Sequence, residues 1–66
     1  MRNKITRIYT RRYTDNGQCT AYVDWSDGSR TEGEARNYNQ LPISTHMRAL
    51  FERGLRDGLK IERETW

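Results

Sequence analysis

The two residues that could act as a nucleophile and a base, Cys19 and His46, each occur once in the chain. A thiol activated by an imidazole is a common nucleophilic pair, provided that the fold brings the two together. Cys19 falls in a predicted strand and is expected to be a small buried side chain. His46 falls at a predicted helix start with no carboxylate placed to orient it. We expect no catalytic residue, and these two cannot supply the four ligands of a zinc site.

Paired carboxylates, which could serve as general acid and base, occur at Glu32/Glu34 and Glu62/Glu64. Strand spacing points each pair to one side, and the flanking basic residues favour ion pairing. The five glycines are dispersed, so no glycine-rich phosphate loop is present. The sequence therefore predicts neither an enzyme nor a cofactor-binding protein.

A third set of residues interleaves aromatic rings with guanidinium groups. Alternate positions along a strand share one face, and the first three predicted strands place Tyr and Arg side chains together on such a face. Both residue types anchor protein interfaces, and both also stack on nucleic-acid bases. The predicted partner-binding residues are Arg7, Tyr9, Arg11, Tyr13, Tyr22 and Arg30.

Length and composition predict one small domain over residues 1–66. Leu, Ile, Val and Phe supply only ten residues. Such a poor core favours completion by a partner, and the edge of the final strand predicts homodimerisation.

The chain carries a net charge of +3, with ten Arg, two Lys and nine carboxylates. No segment approaches the roughly 20 apolar residues of a membrane span, and no secretion signal follows the basic N-terminus. A lone cysteine fits a reducing compartment. We expect a cytoplasmic protein with no membrane contact.

Two dipeptides, Asn16-Gly17 and Asp27-Gly28, are strong hairpin signals because they supply the positive φ that tight turns need. They separate three runs of strand character at 4–14, 18–25 and 29–35. The sequence predicts a three-stranded antiparallel meander.

The second hairpin is expected to use a three-residue loop with Gly28 in the left-handed region, because a two-residue turn would bury unpaired charges. This register predicts the pairs Val23–Thr31, Ala21–Gly33 and Cys19–Ala35 on an apolar face, and Asp24–Arg30 and Tyr22–Glu32 on the other.

The first hairpin leaves two registers open. A two-residue Asn16-Gly17 turn sends the tyrosines outward and leaves Arg7 and Arg11 in water, whereas a bulged loop through Asp15 would bury the tyrosines. We favour the former, which pairs Ile8 with Trp25 and Thr10 with Val23.

After a loop at 36–41 closed by Pro42, Ser44 or Thr45 caps a helix that ends near Arg56 or Asp57. Its apolar stripe is expected to cover the sheet, and residues 59–66 predict a final strand at a sheet edge. The predicted fold is α+β, in the order β-β-β-α-β, an antiparallel meander with one amphipathic helix on one face. The stripe consists of Met47, Leu50, Phe51 and Leu55.

A three-stranded sheet followed by one helix resembles the arm-site DNA-binding domains of phage integrases and related plant transcription factors. Such a resemblance implies a nucleic-acid binder that reads DNA with its sheet. The small size and the Arg- and Tyr-rich composition are also similar to phage-encoded host-takeover proteins, including anti-CRISPR proteins, which block a larger enzyme by surface contact.

We expect a small phage or mobile-element protein that inhibits or adapts a larger host protein or protein–nucleic-acid complex. The alternative is a sheet-based nucleic-acid binder. Asp24, Glu32 and Glu34 share the Tyr/Arg face and would repel phosphates, which favours a protein partner.

Overall fold

The computed structural model describes residues 3–37 and 40–65, which form a four-stranded sheet with one helix. The predicted α+β class and element order are confirmed. Tyr38 and Asn39 of the predicted loop, and Trp66 at the end of the predicted final strand, lie outside the described residues. The elements are β1 (Ile5–Arg12), β2 (Cys19–Trp25), β3 (Arg30–Glu34), α1 (Thr45–Arg56) and β4 (Ile61–Thr65).

The β2–β3 hairpin has the predicted register. Val23 lies opposite Thr31, and Asp24 lies opposite Arg30. The loop closes through a 3.0 Å hydrogen bond from the Trp25 amide to the Ser29 carbonyl. Gly28 adopts φ +89°, a conformation that residues other than glycine rarely adopt.

The predicted register of the β1–β2 hairpin is wrong by two residues. The Tyr13 amide donates to the Gln18 carbonyl at 2.9 Å, which makes residues 14–17 a four-residue loop rather than a two-residue turn. Ile8 consequently lies opposite Val23, not Trp25, and Thr10 opposite Ala21. A shift of two residues keeps every side chain on its predicted face, so the tyrosines still point away from the helix.

A bulge in β1 places two isoleucines on the same face. Ile5 and Ile8 are three positions apart, so they would face opposite sides of a regular strand. The register shifts between Ile5 and Arg7, and both isoleucines are buried in the core. The bulge at Thr6 therefore adds one apolar side chain to a small core.

The fully antiparallel sheet is wrong for the last strand, since β4 pairs parallel to β1. A single helix returns the chain to the end of the sheet at which β3 began, so β4 must run parallel to β3 and also to β1. Those two strands are the edges of the three-stranded meander, and either edge would give a parallel pair. Beside β3, Glu62 and Glu64 would lie near Glu32 and Glu34, whereas beside β1 they lie near arginines. Pairing of opposite charges therefore favours the observed position of β4 beside β1.

Helix α1 (Thr45–Arg56) is flanked by Ser44 as N-cap and Asp57 as C-cap, close to the predicted bounds. Met47 and Phe51 are buried as predicted, but Leu55 is 42% exposed and the expectation that it covers the sheet is wrong. Gly54 takes its place, because the absence of a side chain lets the helix lie against Ile8. Gly33 similarly leaves room in β3 for Met47. These two close approaches bring the helix onto β1, β2 and β3 and leave the opposite side of the sheet uncovered.

Candidate functional site

The side of the sheet opposite α1, which we call the open face, is covered by no helix or strand of the described residues. Strand alternation fixes which side chains lie there. The structure brings all six predicted partner-binding residues onto this face, namely Arg7, Tyr9, Arg11, Tyr13, Tyr22 and Arg30.

The rings of Tyr9 and Tyr22 are not exposed, contrary to the large aromatic patch that the sequence predicts. Tyr9 and Tyr22 lie directly opposite each other in β1 and β2, and they are 0% and 5% exposed. The Arg7 guanidinium lies 4.1 Å from the centre of the Tyr9 ring. Those of Arg11 and Arg30 lie 5.0 and 5.5 Å from the centre of the Tyr22 ring. The two rings thus lie beneath three guanidinium groups and make cation–π contacts with them.

Carboxylates hold these guanidinium groups in place. Arg7 Nε lies 3.0 Å from Glu62 Oε2, and Arg30 Nε lies 3.0 Å from Asp24 Oδ1. Both pairs are partly exposed, so each contributes little to stability by itself. Their effect is to fix the direction of otherwise flexible side chains.

Arg11 is more enclosed than the sequence predicts. We expected it in water, yet its side chain is only 18% exposed, and Nη2 lies 3.3 Å from Glu64 Oε1. The parallel pairing of β4 beside β1 places Glu64 there. Sequence reasoning identified the Glu62/Glu64 pair but did not place it on the open face. The signal was available, because the alternation of Ile61 with Glu62 points the glutamates away from the helix.

The tyrosine hydroxyls of the open face differ in their hydrogen bonding. The hydroxyls of Tyr13 and Tyr22 lie 2.8 Å apart, and this hydrogen bond lowers the pKa of Tyr13. Burial raises the pKa of Tyr22. The buried Tyr9 hydroxyl has no hydrogen-bond partner within residues 3–37 and 40–65, and burial raises its pKa as well.

Formal charge is distributed unevenly between the two sides of the molecule. Among the paired strand positions of the described residues, the open face carries three guanidinium groups and five carboxylates, a net charge of −2, although the whole chain carries +3. The remainder of the chain is therefore +5. The carboxylates of the open face are Asp24, Glu32, Glu34, Glu62 and Glu64.

Cys19 and His46 are not brought together into a site. Cys19 is half-buried and lines an open cleft of ≈ 710 Å³ together with Arg12 and Arg36, and His46 is not among the lining residues. Burial raises the pKa of the Cys19 thiol, an effect that Arg12 partly offsets. At neutral pH the thiol is therefore protonated and a poor nucleophile.

Within the described part of the chain, no group of three or more His, Cys, Asp or Glu side chains is arranged to hold a metal ion. Its one helix, α1, is too short and too polar to cross a membrane. No family model, no curated protein and no solved structure matches this chain.

Proposed function

We propose that this chain is a non-enzymatic binding protein that docks through its open face onto a larger cytosolic protein, which it inhibits or adapts. The observation that carries this proposal is the layer of fixed arginines over stacked tyrosines on an uncovered sheet. Arg and Tyr are enriched among the residues that dominate binding energy at protein interfaces.

Preorganisation supports the same proposal. Binding costs free energy when flexible side chains become ordered, at about 0.5–1.5 kcal/mol per long side chain. Arg7, Arg11 and Arg30 are already ordered by a ring beneath and a carboxylate beside each of them. A partner that contacts this layer therefore binds side chains that are already ordered, and the free-energy cost of ordering them does not reduce the affinity.

A specific complex would need only a small part of the surface of this molecule. A stable interface buries roughly 800 Å² of each partner. The chain exposes 4694 Å², so such an interface would take about one sixth of this surface.

Nucleic-acid binding by the sheet is the weaker candidate. Affinity for DNA or RNA depends on cations that neutralise phosphates. On the open face the carboxylates outnumber the guanidinium groups, and every guanidinium already faces a carboxylate. A sheet that reads DNA, as in the integrase arm domains, needs the opposite balance.

Capture from a nuclease-treated bacterial lysate tests the proposal. Thr20 lies half-buried on the open face and Ala49 is exposed on the helix. Thr20→Trp places a bulky group on the docking surface, and Ala49→Trp is the matched control. We expect a stoichiometric protein to be retained by wild type and Ala49→Trp and lost from Thr20→Trp, with all three folded by circular dichroism. Equal retention by all three, or loss of all partners after nuclease treatment, would contradict the proposal.

A further inference from the structure

We infer that the partner presents a lysine- and arginine-rich protein surface whose cations contact the β2–β3 half of the open face. This inference rests on the proposed function and specifies the chemistry of the partner. It follows from how charge is divided within the face rather than from the net charge of the chain, which has the opposite sign.

The two halves of the open face differ in charge. On the β1–β4 half, two guanidinium groups face two carboxylates, and the charges balance. On the β2–β3 half, three carboxylates accompany the single guanidinium of Arg30, which leaves −2. Asp24 is paired with that guanidinium, so the excess lies on Glu32 and Glu34.

Glu32 and Glu34 are available to a partner without breaking an existing ion pair. Both are exposed, and neither forms a salt bridge with another residue of 3–37 or 40–65. Two positions apart on β3, their side chains are separated by about 7 Å. Two cations at a similar spacing on the partner would complete the charge balance of this half.

Charge complementarity selects this occupant over the others. A second copy docked face to face would bring −2 against −2, and phosphates of nucleic acid or of an anionic membrane would be repelled by the same carboxylates. Homodimerisation through the edge of β4 is a separate prediction and leaves the open face uncovered. The rest of the chain carries +5, so a basic partner is repelled least at the open face.

Binding to immobilised poly-L-lysine tests the inference, because it isolates the charge of the partner. The variant Glu32→Gln/Glu34→Gln removes two negative charges from the open face. The control Asp15→Asn/Glu52→Gln removes two exposed negative charges elsewhere and gives the same net charge. We expect the first variant to bind about fivefold more weakly than wild type at low salt and the control to bind within about twofold.

Equal weakening of the two variants, or no binding by wild type, would overturn the inference. So would binding of wild type to a DNA duplex that becomes tighter in Glu32→Gln/Glu34→Gln but not in the control, or self-association that only this variant abolishes.

These binding measurements do not depend on whether the lysate experiment supports the proposed function. A lysate partner lost in Thr20→Trp but fully retained by Glu32→Gln/Glu34→Gln would leave the docking face intact and contradict only the basic partner.

Discussion

The rings of Tyr9 and Tyr22 stack with their centroids 5.0 Å apart and their planes inclined by 18°. The two residues lie directly opposite each other on β1 and β2, and the arginines above them exclude water. The stack forms a second, smaller apolar layer on the side of the sheet that the helix does not reach. Burial of this kind stabilises a chain whose main core contains few large side chains.

Removal of the Tyr9 hydroxyl and removal of the Tyr22 hydroxyl should have opposite effects on the free energy of unfolding. Tyr9→Phe deletes a buried hydroxyl that has no described partner, and leaving such a group unsatisfied costs about 1–3 kcal/mol. We expect this variant to be as stable as wild type or more stable. Tyr22→Phe deletes the hydrogen bond to Tyr13 and should cost about 0.5–1.5 kcal/mol. Urea denaturation of the two variants measures both effects, and a larger loss for Tyr9→Phe would contradict the assignment.

Alkaline pH should destabilise the fold through the buried tyrosines. Burial raises the pKa of Tyr9 above its ordinary value of 10.0, so the folded state holds this proton more tightly than the unfolded state. The free energy of unfolding should be insensitive to Tyr9 below about pH 10 and fall as the pH rises through the raised pKa. Tyr9→Phe should make this fall shallower in denaturation curves measured between pH 9 and 12. An identical pH dependence in wild type and variant would show that Tyr9 ionises as freely in the folded protein as in the unfolded chain.

Two apolar residues of the same helix should respond very differently to truncation. Phe51 is fully buried under the sheet, and Phe51→Ala should cost about 3–5 kcal/mol, comparable with the stability of so small a domain. Leu55→Ala should cost under about 0.5 kcal/mol, because Leu55 is 42% exposed and lies outside the core cluster. Thermal melting followed by circular dichroism should find the first variant largely unfolded and the second near wild type. Similar melting of the two would mean that α1 packs on a different face.

Reversal of the Arg11 charge should affect folding as well as binding. Arg11→Glu removes the contact with Glu64, places two carboxylates side by side and uncovers Tyr22, which should cost about 1–3 kcal/mol. Arg36→Glu is the matched control on an exposed loop position and should cost under about 0.5 kcal/mol. Equal stability of the two variants would mean that Arg11 lies in solvent, as its sequence position alone suggested.

The parts of the fold that sequence predicts well are those that depend on local chemistry. Gly28 and the need to keep charges out of the core determine the β2–β3 register. In the first hairpin the same reasoning places each side chain on the correct face of the sheet but gives the wrong loop length. An error of two residues in the register leaves every side chain on the same face, whereas an error of one would reverse them all. A turn of two residues and a loop of four satisfy Asn16-Gly17 equally well, so this choice depends on tertiary packing.

The character of the open face depends on contacts between residues far apart in the chain, and composition alone predicts it poorly. Strand alternation identified six of its residues, but the tyrosine rings among them were expected to be exposed. The missing information was the position of β4, which brings Glu62 to Arg7 and Glu64 to Arg11 over 55 and 53 residues of sequence. Those pairs turn an aromatic surface into a charged one.

The most direct test of the account is a photo-crosslinker placed at one position on each side of the molecule. A benzophenone amino acid at Thr20 samples the open face, and the same group at Ala49 samples the exposed side of α1. After irradiation in a nuclease-treated lysate, we predict a discrete protein adduct from position 20 and none from position 49. An adduct from position 49 alone, or none from either position, would contradict a protein partner on the open face.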